Sequence, residues 1–156
     1  MYIRKAEKRD IGKILDLLSQ VLEIHAALRP DLFIPGTTKY TNDELSVMIS
    51  DPNRHIYVAV DESETVVGYV FCKIKQQSNR NNLVPFYSIY IDDLCIDQNQ
   101  RGHHIGKSLF EYVCTEAKKL GCYEISLNVW EGNDTARKFY EAMGFRPKST
   151  TMEFIL

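Results

Sequence analysis

Apolar positions recur along the chain with two different periods, and these periods predict helices and strands. Between residues 10 and 28, Ile14, Leu18 and Leu22 recur at the spacing of one face of an amphipathic helix. The runs "RHIYVAVD" and "TVVGYVFCKIK" are rich in β-branched and aromatic residues and are separated by the acidic turn "ESE", which is typical of neighbouring strands. The pattern predicts strands over 2–6, 54–61, 65–75, 84–97, 123–129 and 145–156, and helices over 10–28, 41–50, 105–120 and 134–143.

The order of these elements, β-α-α-β-β-β-α-β-α-β, predicts an α/β protein of the mixed α+β type. Strands follow one another in the middle of the chain and alternate with helices at its end, which favours a mixed sheet with helices on both faces. The strand–helix–strand unit over 86–129 is expected to be a parallel crossover. A length of 156 residues fits a single domain over 1–156.

Composition and charge indicate which kinds of partner and which cellular compartment to expect. The net charge of −2 and the sequence pI near 6.1 argue against bulk electrostatic binding to nucleic acid. No apolar run approaches membrane-spanning length, and the N-terminus has no apolar signal core. The four cysteines form no CxxC pair and lie in apolar runs, as expected of buried thiols in a reducing compartment. We therefore expect a cytoplasmic protein with no nucleic-acid or membrane partner.

The stretch "RGHHIGKS", residues 101–108, has three interpretations. A nucleotide P-loop needs four residues between its first glycine and its Gly-Lys pair, but only three separate Gly102 from Gly106. A zinc site is disfavoured because the adjacent His103 and His104 cannot both point into one site from a regular element. A solvated polar turn is the plain alternative. The third interpretation is an anion site, in which the N–H groups of residues 102–107 converge at a helix N-terminus.

The segment "LCIDQNQRGHHIGKSLFEYV" resembles motif A of the GCN5-related N-acetyltransferases, the GNAT family. That motif reads Arg/Gln-x-x-Gly-x-Gly/Ala, and one departure is plain, because His104 stands where the family usually has its first defining glycine. The backbone N–H of His104 can still bind phosphate if its φ and ψ are ordinary. The matching residues are Arg101, Gly102, His103, His104, Ile105 and Gly106.

A second segment, "NVWEGNDTARKFYEAMGF" over 128–145, resembles motif B of the same family. Two motifs at the expected separation are more specific than either alone, and the element order extends the resemblance over nearly the whole chain. The matching residues are Asn133, Ala136, Phe139, Tyr140, Gly144 and Phe145.

The resemblance implies a GNAT fold whose fourth and fifth strands are parallel and splay apart around acetyl-CoA, the cosubstrate. It implies that the backbone of Leu94, Cys95 and Ile96 pairs with the pantetheine arm, where one N–H group would polarise the thioester carbonyl. The pyrophosphate would lie on the N–H groups of residues 102–107, beside the positive charges of Arg101 and Lys107. Asn133 would lie beside the cofactor arm, unless it serves only as a helix N-cap. No metal is implied.

Three side chains are candidates for acid–base catalysis. The resemblance implies that Tyr140 lies near the cofactor sulfur and protonates the leaving thiolate; the alternative is a core aromatic residue whose hydroxyl is satisfied. Asp92 and Asp93 are the candidate bases, with water-relayed deprotonation as a competitor. Consecutive strand residues face opposite sides, so we expect only one of the two in the acceptor site unless a bulge intervenes. Cys95 is disfavoured as a nucleophile, because it lies in an apolar strand.

Together, the motifs and the resemblance predict an acetyltransferase that moves acetyl from acetyl-CoA directly to a primary amine of a small molecule or peptide, within a ternary complex. The alternative is a catalytically weak, CoA-sensing module of the same fold. The acceptor and the oligomeric state stay open, with a homodimer as one expectation. The groups expected to border a pocket for a cationic amine are Glu23, Asp31, Asp92, Asp93, Phe33, Phe86, Tyr87 and Tyr90.

Overall fold

A computed structural model describes residues 1–78 and 80–156. The elements follow one another much as the apolar pattern predicts, except at the C-terminus. They are β1 (Tyr2–Lys5), α1 (Ile11–Leu28), α2 (Asn42–Ser50), β2 (Arg54–Val60), β3 (Val66–Gln76), β4 (Tyr87–Ile96), α3 (Ile105–Lys119), β5 (Glu124–Leu127) and α4 (Asp134–Ala142).

The strands form one sheet in the order β1-β2-β3-β4-β5. Neighbouring strands are antiparallel up to β4, and β4 pairs with β5 in parallel. Helix α3 connects this parallel pair, because parallel neighbours need a crossover rather than a tight turn. The prediction of a mixed, mostly antiparallel sheet is confirmed.

Apolar side chains cover both faces of the sheet. On one face, Ile14 and Leu18 of α1 and Leu45 of α2 are almost completely buried against the strands. On the other face, Leu109 and Val113 of α3 are completely buried. Because alternate strand residues point to opposite faces, both sides of the central strands are apolar and the helices lie on both faces, as expected.

Strands β4 and β5 pair over only part of the length of β4. The paired residues are Ser88–Ile91 of β4 and Glu124–Leu127 of β5, whereas β4 continues to Ile96. The chain beyond Leu127 therefore separates from β4 and leaves a gap at the carboxyl ends of the two strands. The expected splay is confirmed.

The strand predicted over 145–156 is wrong for the single chain. Residues 145–156 adopt no regular element. A strand is defined by its ladder, and no backbone–backbone hydrogen bond joins residues 146–156 to the rest of the described chain. Apolar side chains lie only at the two ends of the stretch, with the polar run "RPKSTT" between them, and its backbone finds no ladder partner in the described chain.

Candidate active site

The outer edge of β4 is open where β5 separates from it. The N–H of Asp97 donates to Val67 O on β3, so the backbone groups of Ile96 and Leu94 point away from β3, while those of Cys95 point towards it. Gln20 of α1 fills one of the outward positions: its Nε2 donates to Ile96 O at 3.0 Å. The other outward groups of Leu94 and Ile96 remain available to an extended ligand.

Gln20 also connects this strand edge to the loop that follows β4. Its Oε1 accepts a hydrogen bond from the N–H of Gln98 at 3.1 Å. An open cleft of about 580 Å³ lies between α1 and this loop, and Gln20 and Arg101 are both part of its wall. Gln20 therefore contacts the strand edge, the loop and the cleft at the same time.

The loop over residues 98–104 leads directly into the N-terminus of α3. His104 is the N-cap residue, and its side chain makes no capping hydrogen bond. The first N–H groups of a helix have no intrahelical partner, so here they are left for solvent or a ligand. Because α3 has 15 residues, its dipole adds positive potential at this end. This geometry suits an anion.

The backbone of the loop is left-handed at two positions. Gly102 has φ 85°, and His104 has φ 59° and ψ 14°. The condition of ordinary dihedral angles at His104 is therefore not met: the residue adopts the conformation that glycine, the usual residue at this position in the family, reaches without strain. His104 keeps its N–H in the loop at the cost of backbone strain.

The glycine at position 106 has a packing role in addition to any contact with a ligand. A Cβ atom built on Gly106 would lie 3.0 Å from Cζ and 3.1 Å from Cε2 of Phe139. The missing side chain thus lets α3 approach α4, and it faces the protein rather than the loop. A substitution at Gly106 would disturb this packing before it affected an anion.

A β-bulge brings the two adjacent aspartates to the same side of the sheet. The register between β3 and β4 shifts between Phe71 and Cys72, which pair with Asp93 and Ile91, so Asp92 is the extra residue. Both carboxylates reach groups on the face that carries α1 and α2. The exception stated for a bulge therefore applies, and strand alternation does not separate the two aspartates.

The carboxylate of Asp92 is surrounded by cations. It accepts hydrogen bonds from Lys39 at 2.8 Å, from the Tyr40 hydroxyl at 2.7 Å and from Lys73 at 3.0 Å. Burial opposes its ionisation, but these hydrogen bonds outweigh burial and lower the pKa of Asp92 to about 2. Asp92 is a fixed anion that holds the segment with Lys39 and Tyr40 against the bulge.

Asp93 has a different environment. Its carboxylate accepts a long hydrogen bond, 3.3 Å, from the hydroxyl of Tyr69, and no lysine or arginine of the described chain forms an ion pair with it. Burial raises the pKa of Asp93 to about 6, although Lys39 and Tyr69 oppose this rise. A carboxylate that titrates near neutrality is suited to accepting and releasing a proton.

Tyr140 of α4 lies in the same neighbourhood. Burial raises the pKa of its hydroxyl, and the nearby Asp93 and Cys95 raise it further. None of the side-chain hydrogen bonds found among the described residues involves this hydroxyl, and its ring packs on Phe139 and Phe145. Because its pKa is raised, Tyr140 is protonated at neutral pH.

Two further candidates can be assessed from the geometry. The Asn133 side chain caps α4 by accepting a hydrogen bond from the N–H of Ala136 at 3.2 Å, so the capping role is present whatever else the residue does. Cys95 is buried, and its Sγ lies 3.6 Å from Leu17 O. Burial raises the pKa of the Cys95 thiol to about 12, which is unsuitable for a nucleophile.

Most acids expected around the acceptor are already engaged. Glu23 accepts the N–H of Gly36 at 2.7 Å, and Asp31 forms a two-pronged ion pair with Arg29. With Asp92 held by two lysines, Asp93 is the acid of this group without a strong partner in the described chain. The aromatic residues Phe86 and Tyr87 lie near the start of β4, and Tyr87 is roughly 20 Å from Asp93 at about 3.4 Å per residue, so they do not border the same pocket.

Several residues at the site have no signal in the sequence. Tyr69, Tyr40 and Gln20 come from three separate segments, and each looks like an ordinary core or surface residue until the fold assembles them. Phe33 is expected from the sequence, but its partners are not: it packs edge-on against Trp130, with ring centroids 5.4 Å apart, and against His25 at 5.2 Å. Only long-range contacts reveal these arrangements.

Comparison with known proteins gives a consistent result. The family model described as the acetyltransferase (GNAT) family matches residues 18–145. A thialysine N-epsilon-acetyltransferase from Bos taurus is 27% identical over 154 residues, which cover 91% of this chain and 82% of that protein. A peptidyl-lysine N-acetyltransferase from Salmonella typhimurium is 32% identical over 105 residues, covering 66% of this chain and 59% of that protein.

Solved structures agree with the sequence comparisons. The structure of a tetramutant of the BH1408 protein from Bacillus halodurans has a TM-score of 0.95 at 29% identity, and the match covers 100% of both chains. In residues 1–78 and 80–156, no group of three or more histidine, cysteine, aspartate or glutamate side chains is arranged to hold a metal ion. Within the same residues, every helix is too short or too polar to cross a membrane.

Proposed function

The chain belongs to the acetyltransferase (GNAT) family and is an acetyl-CoA-dependent N-acetyltransferase, and we propose that Asp93 and Tyr140 are its acid–base pair. In this proposal Asp93 accepts a proton from the attacking amine, and Tyr140 donates one to the leaving thiolate. The observation that carries the proposal is the contrast between two neighbouring carboxylates: Asp92 is paired with two lysines, whereas Asp93 is partly buried and has no lysine or arginine partner in the described chain.

The cosubstrate would be held by the open edge of β4 and by the loop before α3. The outward backbone groups of Leu94 and Ile96 would pair with the amides of the pantetheine arm, and Cys95 would contribute only through its place in the strand. The pyrophosphate would accept hydrogen bonds from the uncapped helix N-terminus. The residues proposed for this role are Leu94, Cys95, Ile96, Arg101, Gly102, His103, His104, Ile105, Gly106, Lys107 and Asn133.

The base is assigned to Asp93 because an amine attacks a thioester only when it is uncharged. A pKa of about 6 leaves Asp93 ionised at neutral pH and still basic enough to take a proton. Asp92, with a pKa of about 2, is a far weaker base and is already saturated by three donors. We assign Asp92 a positioning role on the segment that carries Lys39 and Tyr40.

The acid is assigned to Tyr140 because burial, together with Asp93 and Cys95, raises the pKa of its hydroxyl and keeps the hydroxyl protonated at neutral pH. Direct transfer is favoured over an acyl-enzyme, since the thiol of Cys95 is buried and its pKa is raised to about 12. The amine would therefore attack the acetyl group while both substrates are bound. Water relay through the cleft beside Gln20 is the competing route for the amine proton.

For the acceptor, we propose a primary amine at the end of a flexible aliphatic chain. Two of the similar proteins are named for acetylation of thialysine and of peptidyl-lysine, both of which have such an amine. In this chain one unpaired acid, Asp93, is available to such a group, which suits an acceptor that presents one amine rather than several. The aromatic group of Phe33 and Trp130 would contact the aliphatic part.

The second candidate function is a CoA-binding module with little turnover. It is less favoured because a sensor needs neither a partly buried carboxylate with a pKa of about 6 nor a tyrosine whose hydroxyl stays protonated at neutral pH. The thiols of the four cysteines are free, which supports a reducing compartment, and we propose the cytoplasm. We also propose a homodimer as the working assembly.

The test is release of CoA thiol from acetyl-CoA in the presence of a panel of amines. We expect release above background hydrolysis with a lysine-like amine, and loss of that release in Asp93→Asn. Glu62→Gln, an exposed acid on the β2–β3 turn, is the matched control and should retain full activity. A protein that binds CoA but releases no thiol with any amine would instead support the CoA-binding module.

A further inference from the structure

Helix α1 holds the junction between β4 and the loop before α3, which consists of residues 96–98. Lys13 Nζ lies 2.6 Å from Oδ2 of Asp97, the middle residue of the junction. About two turns further along the helix, Gln20 forms hydrogen bonds to the residues on either side of Asp97. Residues seven positions apart lie on nearly the same helix face, so one face of α1 contacts all three junction residues.

The Gln20 side chain matches the two backbone groups that it contacts. Its Nε2 donates to Ile96 O at 3.0 Å, and its Oε1 accepts the N–H of Gln98 at 3.1 Å. One partner needs a donor and the other needs an acceptor. A primary amide offers both, whereas an ionised carboxylate offers only acceptors and an apolar chain offers neither. The junction therefore requires the amide itself and not only a side chain of the right size.

The junction lies between the two parts of the proposed cosubstrate site. Before it, the outward backbone groups of Leu94 and Ile96 are available to the pantetheine arm, and Gln20 ends this edge by occupying Ile96 O. After it, the loop passes through left-handed conformations at Gly102 and His104 and reaches the start of α3. A ligand that spans two sites gains from both only when their relative positions allow simultaneous contact.

We propose that Gln20 is a positioning residue for the cosubstrate: its amide fixes the open edge of β4 relative to the pyrophosphate loop, so that CoA reaches both at once. Gln20 acts through the backbone of Ile96 and Gln98 rather than by contact with CoA. Lys13 supports the same junction, but a partly exposed ion pair contributes little by itself. The inference rests on the proposed placement of the cosubstrate and is independent of the proposed acid and base.

The first test compares CoA with its two parts in the full-length protein. Gln20→Met keeps the length of the side chain and removes both hydrogen bonds. Calorimetry should show about a tenfold weaker affinity for CoA, which spans the junction. The affinities for ADP and for pantetheine, measured by NMR titration, should stay within about twofold of the wild type, because each ligand reaches only one side.

Two results of this comparison would overturn the inference. One is an unchanged affinity for CoA in Gln20→Met, which would mean that the junction keeps its geometry without the amide. The other is a loss of affinity for ADP or pantetheine as large as the loss for CoA, which would mean that Gln20 contacts the ligand directly.

A second variant tests the hydrogen bonds within a single protein. In Gln20→Glu the protonated side chain offers one donor and one acceptor, as glutamine does, whereas the ionised form repels Ile96 O. Compared with the wild type at the same pH, CoA affinity should be about tenfold weaker at pH 8 and recover to within about threefold at pH 5, as the carboxylate is protonated. The comparison at equal pH removes the titration of the CoA phosphates.

The matched control is Ser19→Glu. Ser19 precedes Gln20 and lines the same cleft, so the new carboxylate lies among the same charged groups, which are Asp16, Glu23 and Arg101, while the junction keeps both of its hydrogen bonds. Its CoA affinity should stay within about twofold of the wild type at both pH values. An equal loss in both glutamate variants at pH 8 would assign the effect to charge in the cleft and overturn the inference. A loss in Gln20→Glu that does not change with pH would also overturn it.

Failure of this inference is distinguishable from failure of the proposed function. A wild-type protein that binds CoA but releases no thiol with any amine would contradict the acid–base pair and leave the role of Gln20 standing. A wild-type protein that does not bind CoA would overturn the placement of the cosubstrate and this inference with it.

Discussion

The cosubstrate side and the acceptor side of this site are built from different parts of the polypeptide. On the cosubstrate side, one continuous stretch from Leu94 to Lys107 offers mainly backbone groups: a strand edge, a loop and an uncapped helix N-terminus. On the acceptor side, side chains from the segment before α2, from β3 and from a bulge in β4 meet around Asp92 and Asp93. The first depends on local conformation, and the second on long-range packing.

This difference predicts how each side responds to substitution. Backbone N–H groups can still donate hydrogen bonds after a side chain is replaced, as long as the loop keeps its conformation. Replacing a carboxylate or a hydroxyl, in contrast, removes the group that performs the reaction. We therefore expect large kinetic effects on the acceptor side and small, mainly structural effects on the cosubstrate side.

The largest effect is expected from Asp93→Asn. The amide cannot accept the amine proton, so the turnover number should fall about 10³-fold at saturating substrates, within the usual range for a general base. In the wild type, activity should rise as the pH increases through about 6, because Asp93 must be ionised. Steady-state kinetics from pH 5 to pH 9 measures both. Full activity of Asp93→Asn across that range would mean that water, rather than Asp93, accepts the amine proton.

The same substitution, Asp93→Asn, should lower activity but increase the stability of the folded protein at neutral and higher pH. The folded-state pKa of Asp93 lies above its unfolded value of 3.8, so the native state binds more protons between these values. Stability from this group is therefore present at low pH and decreases as the pH rises through about 6. Asp93→Asn should remove this loss and raise the unfolding free energy at pH 8, which denaturant titration measures. A lower stability would indicate a structural role.

Tyr140→Phe should have the next largest effect. It removes one proton donor and no packing volume, so turnover should fall about 100-fold with little change in the affinity for acetyl-CoA. Calorimetry for binding and thiol release for turnover separate the two quantities. Tyr123→Phe, at an exposed tyrosine on the groove beside β5, is the control. Unchanged turnover would mean that the Tyr140 hydroxyl has no role in the reaction.

The sequence predicts the cosubstrate side well because its determinants are local. Gly102, the start of α3 and the N-cap Asn133 are encoded by neighbouring residues, and the structure has the helices where the pattern predicts them. The relation between Asp92 and Asp93 could not be predicted, since a bulge has no reliable sequence signal. The roles of Tyr69 and Gln20 depend on contacts across the fold.

Asp92→Asn should separate positioning from proton transfer. The substitution weakens the ion pairs with Lys39 and Lys73, and the segment before α2 should become less well held. We expect the KM for the acceptor to rise about tenfold while turnover stays within about twofold, the signature of lost binding. Lys39→Met should reproduce this pattern, and Lys75→Met, on the same strand as Lys73 but over Tyr90, should not. A thousandfold loss of turnover in Asp92→Asn would contradict the division of roles.

On the cosubstrate side, Gly106→Ala should affect stability more than chemistry. The added Cβ would approach the ring of Phe139 to 3.0 Å, and overpacking of this kind costs about 1–3 kcal/mol. Gly12→Ala is the control: its Cβ meets nothing within 4 Å on α1, so it should be neutral or stabilising. Phe139→Leu should restore part of the loss in Gly106→Ala. Equal stabilities for the two alanine variants, measured by thermal unfolding, would show that the helices adjust freely.

The C-terminal segment shows a second limit of sequence-based prediction. Its mostly apolar end, residues 152–156, suggests a strand, but the described chain forms no regular element there, because a strand needs a partner as well as a suitable sequence. A sequence pattern of this kind can indicate a tendency to form a strand, but it does not identify the strand edge with which the segment would pair. The same reasoning applies to Glu23 and Asp31, whose acidity suggested a cationic acceptor until their partners Gly36 and Arg29 were known.

The smallest effect, and the sharpest check on the backbone argument, is expected from His104→Gly. His104 has φ 59°, a conformation that costs a residue with a Cβ about 1–2 kcal/mol and glycine nothing. Part of this gain is cancelled by the greater freedom of glycine in the unfolded chain, so we expect a net stabilisation of about 0.5–1 kcal/mol.

If the loop binds pyrophosphate through its N–H groups, the affinity of His104→Gly for CoA should stay within about twofold of the wild type. His104→Ala separates the alternatives, since it removes the imidazole and keeps the strained backbone. It should bind like the wild type and gain no stability. Calorimetry and denaturant titration on the three proteins measure both quantities. A tenfold loss of CoA affinity in both variants would mean that the imidazole itself contacts the ligand, and the contrast between a backbone side and a side-chain side would fail at this residue.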